Sequence, residues 1–299
     1  MEKYTLFADK LTGKLLFNQP LAVYTSLGTF EKIIYQSYLY TFYWMLAVTR
    51  MTIIAILAFI WVILSYIPLI NFICNRIFPK LILLINGYHH RVKILQGTKR
   101  FNTKIDKTAL IAGRLTSPFD VLIYASKFHV YQVLVPEKFL TATNLTPGNY
   151  GTLTSLSIAF CRIMFLENLI LQQSTEKTLK APKLTKRTLI FPEGTSTNGY
   201  GTLQTYLPDT LFDQKQIVCV AASRPWKYIP LVHARFNLLS LFDETGVFSV
   251  SCSVKTVVLP TIYNRKRETV SRGLASASGV QLCEQTISDK LAYVSQVDE

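Results

Sequence analysis

The stretch Arg187-Thr188-Leu189-Ile190-Phe191-Pro192-Glu193-Gly194-Thr195-Ser196-Thr197-Asn198 changes character in its middle. Its first part, 187–191, is an apolar run of strand length and predicts a β-strand. A Pro-Glu-Gly turn follows, and then a row of hydroxyls. Glycine lets backbone N–H groups approach an oxyanion closely, and Thr and Ser hydroxyls add donors, so the turn suits a phosphate. A strand that delivers a polar turn of this kind is how α/β sheets build their sites.

Working outward, short apolar runs alternate with stretches of helical length. Residues 108–113, 133–135, 217–222, 229–232 and 248–259 predict further strands; 118–130 and 153–172 predict helices. Residues 173–185 and 262–278 are polar and predict connections. The alternation predicts an α/β domain, a mixed sheet flanked by helices. The chain of 299 residues shows no internal repeat and no low-complexity tract.

Upstream of this domain lies a membrane-anchoring segment. From 51 to 74 no residue is charged and only Thr52, Ser65 and Asn71 are clearly polar. Such a run makes a helix of roughly 36 Å, enough to cross a bilayer core of about 30 Å. Tyr43, Trp44 and Arg50 flank one end, Arg76 and Lys80 the other, as aromatic and cationic interface anchors. Pro68 inside the run and the apolar patch 78–85 allow a second geometry: a bend between Pro68 and Pro79 and a helical hairpin lying in the interface. A buried core helix is the third reading. The organisation expected is a polar N-terminal segment over 1–40, an anchor over 41–86 and the α/β domain over 87–299.

Beyond the anchor, Arg91, Lys93, Lys99, Arg100, Lys104 and Lys107 stand against Asp106 alone. The positive-inside rule then places the α/β domain in the cytosol. Asn144-Leu145-Thr146 fits a glycosylation sequon, which would require the lumen; Pro147 follows it directly, and the basic cluster outweighs it. The formal net charge is +14, with 49% hydrophobic and 17% charged residues. That is more apolar and less charged than soluble domains usually are. A basic surface suits anionic lipid headgroups, and no zinc finger, RNA-binding signature or phosphate loop supports nucleic acid as partner. Five cysteines at wide spacings indicate neither a disulfide framework nor a metal site.

A second block, Thr116-Ser117-Pro118-Phe119-Asp120, falls between a predicted strand and a predicted helix. Ser at the N-cap and Pro at N1 start a helix, and Asp120 falls at N3, the capping-box position. Asp120 is therefore read in two ways, as a helix cap or as a site residue at a strand–helix turn.

Together the two blocks resemble the paired motifs of the glycerolipid (lysophospholipid) acyltransferase family, in its divergent fungal branch. Ser117 and Asp120 match the family's first motif, Asn-His-x-Ser-x-x-Asp; Phe191-Pro192-Glu193-Gly194-Thr195 matches a later motif, FPEGTRS. Two positions depart: Leu115 stands where the family has histidine, and Ser196 where it has arginine. The resemblance implies transfer of an acyl group from acyl-CoA, as co-substrate and without a cofactor, to an anionic lysophospholipid, foremost lysophosphatidate, at the endoplasmic reticulum membrane or a lipid droplet. It also implies Asp120 and Ser117 as catalytic residues. Glu193, Gly194, Thr195 and Ser196 would bind substrate, with Arg224 supplying the cation lost at Ser196; Lys227 and Lys138 are weaker candidates. Arg162 is the cation of a third region, 157–168, that aligns poorly.

The chemistry sets the difficulty. An alcohol must lose its proton while attacking a thioester, work that suits a positioned imidazole. Leu115 cannot accept a proton, and Arg114 stays protonated. His129 falls on the opposite helix face from Asp120, His89 and His90 flank the anchor, and His233 follows a predicted strand. Asp120 itself or the substrate phosphate would be the remaining base. The alternative expectation is a catalytically impaired, acyltransferase-like protein that binds lipid or organises membrane.

Overall fold

The computed structural model describes residues 44–94, 105–135, 152–163, 186–194, 201–205, 209–212, 216–223, 250–259 and 266–285. It also describes the isolated residues Phe30, Ile34, Ser37, Phe42, Leu207 and Asp289. The predicted strand 229–232 and the connection 173–185 lie outside these residues.

Two helices open the described chain. Helix α1 (Trp44–Ser65) is long and apolar enough, by length and composition, to cross a membrane. It does not run on to Cys74. The chain turns at Tyr66 and Ile67, and α2 (Pro68–Ile85) starts with its proline in the first helical turn. Ile67 is extended, at φ −96° and ψ 110°, because a residue before proline is pushed out of the helical region. The helices pack together as a hairpin. Ala47, Ile54 and Trp61, spaced seven apart, form its buried seam. Trp61 stacks on Phe78 at 5.9 Å and its indole N–H donates to Asn75 Oδ1 at 3.1 Å. The outer faces stay apolar and exposed, with Ile56, Phe59, Ile63, Leu69, Ile73 and Leu84 among the exposed side chains.

Among the described residues the sheet has seven strands. In chain order these are β1 (Tyr88–Ile94), β2 (Leu110–Gly113), β3 (Gln132–Val135), β4 (Thr152–Ser155), β5 (Thr188–Ile190), β7 (Ile217–Ser223) and β8 (Val250–Leu259). Strands β6 (Gly201–Thr202) and β9 (Gln281–Leu282) form a separate parallel pair. The order across the sheet is β1-β8-β7-β2-β5-β3-β4. The central run β7-β2-β5-β3 is parallel, while β8 runs antiparallel to β7 and β4 antiparallel to β3. The mixed α/β architecture expected from the sequence is present.

Alternate residues of each strand face opposite layers. Ile111, Leu189, Val218, Val220 and Val254 join one apolar cluster with the hairpin residues Ile54, Trp61, Ile82 and Leu83 and with α3 (Asp120–Phe128) and α4 (Leu156–Ile163). Leu110, Ala112, Ile190, Ile217 and Cys219 face the other way. They pack against α5 (Asp209–Phe212) and α6 (Arg267–Ser278). The hairpin and the sheet thus share one continuous core.

Three elements differ from the sequence reading. Residues 88–94, read as the flank of the anchor, form edge strand β1, paired in parallel with β8. Thr152–Ser155, read as the start of a helix, is strand β4. The polar connection 262–278 contains helix α6. Its Gly273 lies so close to β7 and β8 that an added Cβ would sit 2.8 Å from Cys219 Sγ and 3.2 Å from Leu259. Small residues there reflect close packing on the sheet.

Candidate functional site

Adjacent parallel strands deliver the two motif blocks. Strand β2 pairs with β5 in the register Leu110 to Thr188, Ile111 to Leu189 and Ala112 to Ile190. Arg114 and Phe191 therefore leave the sheet at the same end, side by side.

The first block folds into a tight turn around Asp120. Its Oδ2 accepts hydrogen bonds from Thr116 N at 2.7 Å, Thr116 Oγ1 at 2.9 Å and Ser117 N at 2.9 Å. Ser117 Oγ accepts from Phe119 N at 3.1 Å. Ser117 is not the helix N-cap expected from the sequence: Phe119 holds that place without a side-chain cap, and Asp120 opens the helix instead of standing at N3. Regular helix begins at Asp120, two residues after Pro118. Asp120 and Ser117 are both wholly buried.

Leu115 is also wholly buried and belongs to the cluster shared with the hairpin. Phe119 extends that cluster as the middle ring of a ladder, 5.6 Å from Tyr88 and 6.0 Å from Phe160. Nothing polar is added at position 115.

The second block turns at Gly194, whose φ of 71° favours glycine and whose N–H donates to Phe191 O at 2.9 Å. Glu193 points inward, 1% exposed. Its Oε1 accepts from Leu203 N at 2.8 Å, and its Oε2 lies 3.9 Å from Arg114 Nε. The Arg114 guanidinium also donates to Gly201 O in β6. Burial pushes the Glu193 carboxyl up to about 7, against the opposing pull of Arg114 and of the Leu203 N–H.

Tyr124 braces the arrangement from α3. Its hydroxyl donates to Arg114 O at 2.7 Å and accepts from Ala222 N at 2.9 Å. The ring fits because position 113 is glycine; a Cβ there would stand 2.8 Å from Tyr124 Cε2.

Thus Asp120, Ser117, Leu115, Glu193 and Gly194 come together at one end of the central strands. Thr195, Ser196, Arg224, Lys138, Lys227 and His233 lie outside the described residues. His129 ends α3 with φ 50°, about 13 Å along the helix from Asp120. Its imidazole is pushed below the usual value by burial and by the charges of Arg76, Arg187 and Lys80. It belongs to a cationic patch beside the hairpin. Arg162 sits in the last turn of α4.

Sequence reading missed Arg114 and Tyr124. Arg114 was weighed only as a base, and rejected. The available signal was a cation next to the first block in a chain whose second block carries a carboxylate. Among the described residues no group of three or more His, Cys, Asp or Glu is placed to hold a metal ion. No family model matches the chain, and comparisons with curated proteins and with solved structures return no match.

Proposed function

We propose that this protein transfers an acyl group from acyl-CoA to the free hydroxyl of lysophosphatidate, giving phosphatidate and free CoA. It would work at the endoplasmic reticulum membrane or a lipid droplet, with the sheet facing the cytosol. The observation that carries this reading is the meeting of Asp120's turn and the Glu193-Gly194 turn at the ends of neighbouring parallel strands. A hairpin with a broad exposed apolar face, continuous with the core beneath these turns, supports work on a lipid substrate.

In such a reaction the acceptor oxygen attacks the thioester carbonyl, the C–S bond breaks and the thiolate leaves with a proton. The hydroxyl proton must pass to a base. Asp120 Oδ2 is already engaged by three hydrogen bonds that hold its own turn. That leaves the substrate phosphate as the simplest acceptor.

Leu115 favours a second reading, a non-catalytic protein that binds lipid or organises membrane. Its side chain is packed in the core, where the family has its base. Microsomes supplied with labelled acyl-CoA and a panel of lysophospholipids separate the two. Product from lysophosphatidate, absent from an Asp120→Asn, Glu193→Gln double variant, supports the enzyme. Equal product from both rejects it. Leu115→His adds to this: burying an imidazole in an apolar site costs about 2 kcal/mol or more, so we expect a less stable protein without a gain in rate.

A further inference from the structure

We propose that Arg114 and Glu193 form a buried ionic clasp that positions Asp120's turn against the Pro-Glu-Gly turn, and that neither side chain is a substrate ligand. The kinetic consequence rests on the acyltransferase reading; the structural one does not.

Three observations converge on the clasp. Arg114 precedes Asp120's turn directly and its side chain reaches the other turn, 3.9 Å from Glu193 Oε2. Both residues also grip the segment 201–203: Arg114 through Gly201 O in β6 and Glu193 through Leu203 N just after it. One pair thus ties the turn after β2 to the Pro-Glu-Gly turn and to the β6 segment. Second, the side chains are 4% and 1% exposed, which leaves no face for a lipid phosphate. Third, Glu193 Oε2 is buried without a hydrogen bond among the described residues. At 3.9 Å the contact is longer than a charge-assisted hydrogen bond of about 2.8 Å.

The ionised carboxylate is what holds Arg114. Around Glu193 the groups that bear on it are the Arg114 guanidinium from the end of β2 and the Leu203 N–H just after β6. No other charged side chain among the described residues acts on it. Protonation removes the attraction and leaves the turns joined by neutral contacts alone. Burial places that protonation close to neutrality. Glu193 and Arg114 are therefore positioning residues, acting through Asp120's turn.

The test uses the full chain in detergent micelles, with lysophosphatidate and an acyl-CoA as probes. Glu193→Gln should lower kcat at pH 8 about tenfold with KM within about twofold, as expected for lost positioning without lost binding. The part of the fall in rate below about pH 7 that Glu193 causes should vanish in this variant, leaving the limb of the substrate phosphate, whose second ionisation lies at about 6. Arg114→Lys should keep more activity than Arg114→Gln. Independently of turnover, amide exchange at Thr116 and Ser117 should accelerate about tenfold in Glu193→Gln and Arg114→Gln, while β2 amides stay slow.

A raised KM at unchanged kcat would make Glu193 a substrate ligand and overturn the proposal. So would an acid limb identical in wild type and Glu193→Gln, or unchanged exchange at Thr116 and Ser117. If the wild type acylates no lysophospholipid, the proposed function falls, and the exchange measurement alone decides the clasp.

Discussion

Asp120 does at least one job that needs no substrate. It satisfies the N–H groups of Thr116 and Ser117, which lie in a buried turn and would otherwise lack these acceptors. Orphaning buried donors costs about 1–3 kcal/mol each. Asp120→Ala should therefore lose stability by about 3 kcal/mol, read as a lower denaturation midpoint with unchanged slope. A shift under about 0.5 kcal/mol would show that water replaces the carboxylate. Glu193 gives a prediction of opposite sign. Its carboxyl is raised from 4.5 to about 7 by burial, so the folded state binds a proton more tightly than the unfolded one. Stability from this group is complete below about pH 4.5 and is lost as pH rises through about 7. The loss is on the order of 3 kcal/mol. Glu193→Gln should accordingly gain on the wild type as pH rises from 5 to 8.5, in thermal melts run at both values. A constant difference between the two proteins would mean that Glu193 is ionised in both states throughout.

At the scale of elements, β2, β5, β7 and β8 were legible within two residues, because each is a compact apolar run ended by a polar turn. The hidden ones share a cause. Edge strand β1 has one neighbour, so its Tyr-His-His-Arg-Val-Lys-Ile sequence carries polar residues that read as a membrane flank. Helix α6 is built of Ser, Gly and Ala, weak in hydrophobic contrast, because it lies close on β7. The same economy of space governs β2 and α3 at Gly113. Gly113→Ala would force its Cβ within 2.8 Å of the Tyr124 ring and disturb the hydroxyl that bridges Arg114 O and Ala222 N. Overpacking of this kind costs about 1–3 kcal/mol, so its melting temperature should fall by several degrees. A melting temperature equal to the wild type's would show that α3 shifts without penalty.

For the whole molecule, the hairpin sets how the chain would meet a membrane. Helices α1 and α2 turn back at Tyr66–Ile67, and the pair packs on α3 and α4. Arg76 and Lys80 of α2 lie exposed beside its apolar face, and Arg76 stacks on Phe72 at 4.5 Å. An apolar face bordered by cations suits an interfacial position over an anionic leaflet. Protease protection of tagged protein in microsomes should then find residues before 44 and after 88 on one side. Tags on opposite sides would require the hairpin to open and α1 to span alone.

The sequence by itself determined the apolar run over 51–74, the strand–turn pattern at 187–194 and the tight turn over 116–120. Each depends on neighbours within a few residues, where periodicity and turn chemistry act. Only the tertiary structure decided that the apolar run folds back as a hairpin continuous with the core. It alone buried Leu115 and brought Arg114 to Glu193. Those outcomes arise from burial and from pairing between segments far apart in the chain, which no local spacing encodes.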